Sequence, residues 1–297
     1  MCVIWGIPYL LIKVAVREFS PASLVLARTA LGALVLLPFA IRGDHLRPLV
    51  AQWRPLLAYT IIEIAIPWLL LNHAELKLSS SLTGLLIASV PLVGALIARF
   101  SGDHEQMDTR RVVGLLVGIA GVGALVGLDF NEIDLLSVGF VLIASVCYAI
   151  GPRILSRQLS SAPPLGVVAA SLTITALIYV PFGVPQLPDQ WPSTEVIASV
   201  VTLALVCTAL AFVVFLALIA EVGPVRATVI TYVNPAVAVL LGVTLLDEPF
   251  TLGTGVGFAL ILIGSFLATR RAPAVPVAAN PVVAEAQAGL PRLDSNQ

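Results

Sequence analysis

The stretch AYTIIEIAIPWLLL, residues 58–71, is a long apolar run that carries a single carboxylate, Glu63, near its middle. Which solvent surrounds it decides how that carboxylate is read. In a bilayer an ionised side chain costs on the order of a few kcal/mol and calls for a partner or a function. The composition answers the question. Of 297 residues 59% are hydrophobic and 11% charged, with a mean hydropathy of +1.02, against about 25% charged residues in an ordinary soluble domain. The apolar residues form unbroken blocks of helical-span length, not the alternation of an outer-membrane strand. An all-α integral membrane protein is predicted.

Working outward from residues 58–71, breaks at charged or Pro/Gly-rich segments separate about ten spans. The first five cover residues 1–16, 22–41, 55–72, 80–99 and 112–128, and the second five 137–155, 164–183, 196–219, 225–246 and 252–269. The first is short, about 24 Å as a helix, and contains Lys13. No cleavable leader is expected before it, since no basic region precedes the apolar run. Residues 270–297 turn to Ala, Pro and Val with few aromatics and predict a disordered tail.

Arginines fix an orientation. Arg42, Arg47, Arg54, Arg99, Arg110, Arg111, Arg153, Arg157, Arg226, Arg270 and Arg271 all fall on one side of this topology. The opposite loops carry Arg17 and Lys77 but collect Asp129, Glu132, Asp134, Asp189, Glu195, Asp247 and Glu248. The arginine-bearing side is therefore expected to be cytoplasmic, with both termini there and the chain multi-pass in the plasma membrane. Trp53 and Trp191 sit at span starts as interfacial anchors.

The chain also matches itself. Trp5 and Tyr148, Pro38-Phe39 and Pro181-Phe182, Gly114 and Gly257, and Gly121 and Gly264 are each 143 residues apart, and Pro91 and Pro235 are 144 apart. Two five-span repeats, 1–128 and 137–269, follow. An odd number of spans makes the second repeat enter the membrane from the other side, the inverted arrangement that encloses a midplane site. Pro67, Pro91 and Pro235 lie inside spans, where each removes a backbone donor, so kinks or broken turns are expected there, as helix hinges or gates. Gly114, Gly118, Gly121, Gly123 and Gly127, with Gly253, Gly255, Gly257 and Gly264, suit close helix packing.

With these features the chain resembles the drug/metabolite transporter superfamily, in particular its EamA-type ten-helix permeases. The resemblance is carried by Trp5-Gly6, Arg28, SSSLTGLLIASVPLVGAL at 79–96, Glu105 followed by VVGLLVGIAGVGALV, and, in the second half, 226–267 with Pro235, Glu248, Gly257 and Gly264. It covers about residues 3–269 and implies two inverted repeats and alternating access for a small metabolite without ATP. The small four-helix exporters of that superfamily bind their proton on a first-helix glutamate, whereas this first span has Lys13 and no acid. The lysine signature of organellar sugar-nucleotide carriers is not evident in spans nine and ten.

The candidate site begins at Glu63. Tyr59, Thr60, Glu63 and Pro67 share one helical face, and Pro67 leaves a free carbonyl beside the carboxylate, as expected where a helix lines a cavity. A buried, unpaired Glu63 is a candidate proton carrier. The cations Arg28 and Lys13 are candidates for pairing with it, for a substrate carboxylate, or for snorkelling to the interface. Trp5, Tyr9, Trp68, Tyr148, Tyr232 and Asn234 are candidates for the cavity wall.

The leading expectation is a secondary transporter, an exporter of amino acids, amines or similar small metabolites, with protons as coupling ion. A multidrug exporter of lipophilic cations is the alternative, and a non-transporting receptor or scaffold a third. An intramembrane enzyme would need paired aspartates, a Ser with a His, or a His metal motif, and none is visible; His45, His73 and His104 are expected in loops. Cys2, Cys147 and Cys207 share no close spacing, so neither a metal site nor a disulfide framework is indicated. A net charge of -1 with scattered Lys and Arg excludes nucleic-acid partners, and no cofactor is expected. The orientation is checked with reporters fused at each terminus: a fluorescent protein should fold at both, and alkaline phosphatase should be inactive at both.

Overall fold

The computed structural model describes residues 1–100, 109–127, 134–222 and 230–269. Among these the chain is helical throughout, and the helices follow the ten expected spans. They are α1 (Cys2–Ala15), α2 (Pro21–Arg42), α3 (Trp53–Ala74), α4 (Ser80–Ile97), α5 (Thr109–Gly127), α6 (Leu135–Gln158), α7 (Pro164–Gly183), α8 (Thr194–Phe215), α9 (Ile230–Leu245) and α10 (Leu252–Thr269). Eight spans are long and apolar enough to cross a bilayer, while Cys2–Ala15 and Val233–Leu245 are shorter. Leu34, Phe39, Leu177 and Phe182 are exposed large side chains on α2 and α7, as on helices that face acyl chains. The tail expectation falls outside the described residues.

The packing obeys the repeat. α2 lies along α7 and α5 along α10; α1 meets α8 and α9 just as α6 meets α3 and α4. Each pair becomes its equivalent when the chain is advanced by one repeat. The paired helices run antiparallel: Gly183 abuts Ala22 and Leu26, while Gly166 abuts His45 at the other end of α2. That opposition is what the odd span number requires.

At α5–α10 the glycines let backbones touch. A methyl on Gly121 would stand 2.7 Å from the Ile261 nitrogen, and one on Gly114 would stand 2.8 Å from the Gly264 oxygen. Gly257 is held equally close, 3.0 Å from the Gly121 oxygen. Gly114 and Gly121 thus cross the repeat equivalents of each other.

Several helices are irregular, and the freed backbone groups are recaptured by neighbours, as lipid demands. α1 is interrupted between Gly6 and Pro8. α3 passes through a π-helical segment, Thr60–Ala65, just before Pro67, and α8 through another, Leu205–Leu210, with no proline. The Ala65 carbonyl accepts from the Tyr179 hydroxyl at 2.9 Å, and Thr60 Oγ1 donates to Ser171 at 2.9 Å. α4 breaks at Ala88–Ser89, before Pro91, and the Ala88 carbonyl accepts from Ser265 of α10 at 3.2 Å. Pro235 corrects the expectation of a broken turn: it is buried inside α9, which continues as one helix, so the loss of a single bond is absorbed there.

Gly264 supplies the test of this packing. A side chain there would meet only backbone of Gly114 and Gly118, which cannot rotate away. Gly264→Val should therefore destabilise the protein by at least about 1–3 kcal/mol. Gly123→Ala, with open space around its Cβ position, should leave thermal unfolding in detergent unchanged.

Candidate functional site

The two π segments and the aromatic residues of α1 and α6 converge on the centre of the bundle. Arg28, on α2, is 8% exposed although it lies well inside a span. Its Nε donates to Thr208 Oγ1 of the α8 π segment at 2.9 Å, and its guanidinium carbon stands 3.7 Å from the Trp68 ring centroid. Stacking on an indole face and a neutral hydroxyl partner hold a cation in place without neutralising it. The residue one repeat on, 143 further, is Ser171, which accepts from Thr60 of the α3 π segment. The scaffold contact is repeated; the charge is not.

The aromatic walls repeat as well. Trp5 packs edge-on to Phe212 at 6.3 Å and tilted on Phe215 at 4.7 Å. Its counterpart Tyr148 packs against the cluster that contains Trp68, which lies 144 residues before Phe212. Tyr9, 9% exposed, sits against Gly84 of α4, within electrostatic reach of Arg28 and Tyr148.

Glu63 is directed elsewhere. Its Oε2 is sealed from solvent and has no hydrogen-bond partner, and the side chain fits the notch left by Gly151 on α6, where a methyl would overlap the carboxyl and stand 3.0 Å from the Glu63 Cβ. Tyr59, buried, and Cys147 flank it. No ion pair joins Glu63 to Arg28 or Lys13 among the described residues, so the expected pair is not formed: α3 turns the carboxylate to α6, away from α1 and α2.

Lys13 lies instead beside Glu75, an acid in the interval between the third and fourth predicted spans. Glu75 ends α3, is 0% exposed, and neither carboxyl oxygen has a hydrogen-bond partner. Lys13 Nζ donates to the carbonyls of Glu75 and Leu78, both at 2.7 Å, closing the C-terminal end of α3. Arg28 is also within electrostatic reach of Glu75. Beside them Glu248 caps α4, accepting from the Ser80 and Ser81 amides at 2.7 and 2.9 Å and from the Ser81 hydroxyl at 2.5 Å. Asp247 adopts a left-handed backbone, φ 52°, that turns Glu248 back onto α4. The signal available for Glu75 was Lys13 itself: a lysine inside a span needs acceptors.

Arg28, Tyr9, Trp68 and Tyr148 are thus brought together, Trp5 stands across α8, Lys13 lies at the end bearing Glu75 and Glu248, and Glu63 with Tyr59 occupies the α3–α6 contact. Asn234 lies on α9, where its carbonyl oxygen faces Gly6. The side chain of Tyr232 falls outside the described residues. Among the described residues no group of His, Cys, Asp and Glu converges to hold a metal ion. An apolar groove of about 470 Å³ beside Leu46, Trp53 and Ile174 carries no charged group, so the polar chemistry lies with Arg28 and Glu75.

Comparison with known proteins agrees with this architecture. The model of the EamA-like transporter family matches twice, over residues 1–127 and 135–270. The uncharacterized inner membrane transporter YedA of Escherichia coli K12 is 31% identical, over 96% of this chain and 94% of its own. The threonine/homoserine exporter RhtA of Salmonella typhimurium is 27% identical, over 84% and 82%. A solved crystal structure aligns with a TM-score of 0.65 at 22% identity, covering 90% of this chain and 94% of its own, which supports the fold.

The Glu63–Gly151 contact is checked by a double-mutant cycle on thermal stability. Gly151→Ala should destabilise the wild type and cost less in a Glu63→Ala background, with a coupling of about 0.5–3 kcal/mol.

Proposed function

We propose that this chain, which belongs to the EamA-like transporter family, exports small metabolites carrying a carboxylate and an amine, amino acids being the simplest case. The chain is a multi-pass membrane transporter of the drug/metabolite superfamily; substrate, direction and coupling are the proposed part. One observation carries the reading. Arg28 is a buried cation stacked on Trp68 and bonded to a neutral hydroxyl, with no protein carboxylate within ion-pairing distance among the described residues. A planar guanidinium in that state is suited to a substrate carboxylate. The name of the Salmonella relative, a threonine/homoserine exporter, points the same way. The same charge counts against lipophilic cations as substrates.

In this reading the arginine-bearing end faces the cytoplasm, the repeats rock about the α2–α7 and α5–α10 contacts, and Trp5, Tyr9, Trp68, Tyr148, Tyr232 and Asn234 line the path. Pro67 and Pro91, beside the irregular turns of α3 and α4, serve as hinges, and Pro235 keeps a packing role. Glu63 is a proton carrier, which makes export an exchange for protons. No cofactor takes part.

The test is flux of labelled amino acids from proteoliposomes under an imposed pH gradient. Arg28→Ala should weaken apparent affinity about 30-fold or more, corresponding to a lost charge-assisted contact of at least ~2 kcal/mol. Arg28→Lys, which keeps charge but not the planar fork, should fall between. Glu63→Gln should leave ligand-induced thermal stabilisation intact while abolishing the response to the gradient. Transport of cationic dyes with no amino-acid flux would reverse the substrate assignment.

A further inference from the structure

We propose that Glu75 binds a coupling proton at the acidic end of the chamber, and that Lys13 is a latch which this proton sets. The proposal rests on the transporter reading for its purpose and on local geometry for its substance. Glu75 is fully buried with both carboxyl oxygens unpartnered, while the nearest ammonium is engaged elsewhere, on the carbonyls of Glu75 and Leu78. A bare carboxylate without a hydrogen bond is not sustained in such a place beside an available ammonium; a neutral carboxyl is. The arrangement is therefore that of the protonated site.

Every charged or titratable group facing it has another role. From α1, Lys13 holds the end of α3, and Tyr9 packs against Gly84 of α4. From α2, Arg28 is stacked on Trp68. From the α9–α10 loop, Glu248 has its oxygens filled by Ser80 and Ser81. His73, on α3 itself, stacks on Phe140 of α6. The exposed ties at this end are already made: Arg17 pairs with Glu195 at 3.3 Å, and Glu18 is held by the Ser193 side chain and by its amide at 2.8 Å, which keep its carboxyl below the usual carboxylate range. Glu75 is left as the buried acid at this end whose carboxyl has no partner among the described residues.

Its deprotonation has a defined consequence. The ammonium already lies on the carbonyl of the same residue, so an ionised Glu75 side chain draws Lys13 off the Glu75 and Leu78 carbonyls into an ion pair. The 75–79 segment, clamped to the second repeat through Ser80, Ser81 and Glu248, then loses its anchor to α1. A proton arriving from the acidic end closes that end, and its loss opens it. For an exporter, an external proton would thus shut the outer gate after substrate release.

The measurement is the distance between spin labels at Leu76 and Trp191, exposed positions at the acidic end in different repeats, in full-length protein whose three cysteines are replaced, reconstituted in liposomes without substrate. Short distances should dominate at acid pH and a longer population should grow at alkaline pH. Glu75→Gln should keep the short distance at every pH, while Gly123→Ala, in open space, switches like the wild type. A wild type that does not respond to pH, or a Glu75→Gln protein that still switches, overturns the proposal. If Glu75→Gln fails to fold, Lys13→Gln decides: its distribution should not respond to pH, and a retained switch overturns the latch. Switching without amino-acid flux would reject the substrate assignment alone; flux without switching would reject the latch alone.

Discussion

In lipid, a backbone carbonyl released by an irregular turn has no water to turn to, and this constraint shapes the interior of the bundle. The Ala65 carbonyl in the α3 π segment is taken by Tyr179, the Ala88 carbonyl at the α4 break by Ser265, and the carbonyls ending α3 by Lys13. Each recapture joins two helices, and the first two join helices from opposite repeats. Irregular backbone inside α3 and α4 is thus answered by the other half of the protein, and the end of α3 by α1 of its own half. The same irregularities bring polar groups to the centre: Glu63 and Thr208 both belong to π segments, a geometry that recurs at functional sites.

The duplication supplies a scaffold and leaves the chemistry one-sided. Gly114 and Gly257, Gly121 and Gly264, Trp5 and Tyr148, and Trp68 and Phe212 occupy equivalent places. Where charge is concerned the equivalence ends: Arg28 answers to Ser171, and Glu63 to the apolar Val206 in register. A perfectly symmetric centre would place two like cations face to face, at a Coulomb cost that a low-dielectric interior magnifies. Keeping the guanidinium in one repeat and a hydroxyl in the other retains the helix contact and avoids that cost.

How much was legible in the sequence follows from the range of each interaction. Spans and repeats depend on composition and period, so their number and most of their bounds are readable, down to residues 252–269 for α10. Arg28 and Glu63 stand out because charge inside a span is rare. Glu75 had only the indirect signal of Lys13, because two further residues of helix and burial turn a loop acid into an interior one, and neither is encoded locally. Gly151 reads as one packing glycine among 22 until the Glu63 carboxyl is seen in its notch. The α8 π segment has no proline to announce it; its Thr208 hydroxyl, donating to Leu203 five residues back, serves Arg28, a partner 180 residues away in sequence.

The two buried acids sit on one helix, and that places them in mechanical series. Glu63 lies within the π segment of α3 and Glu75 at its end, roughly 18 Å further along at the ordinary rise per residue. A π turn holds an extra residue, so its conversion to α geometry turns one side of the helix against the other by about 100°. With Lys13 gripping the carbonyls of Glu75 and Leu78, the far end of α3 is fixed and no such turn is permitted. With that grip released, rotation is opposed by the hydrogen bonds of Tyr179 and Ser171 and the Gly151 notch at the π segment, and beyond it by the Trp68–Arg28 stack and the Asn72 bond to the Pro21 carbonyl. On the proposed latch, the protonation state at one end of α3 governs whether the carboxylate at its middle keeps its seat against α6, and the two acids need no contact to act in concert.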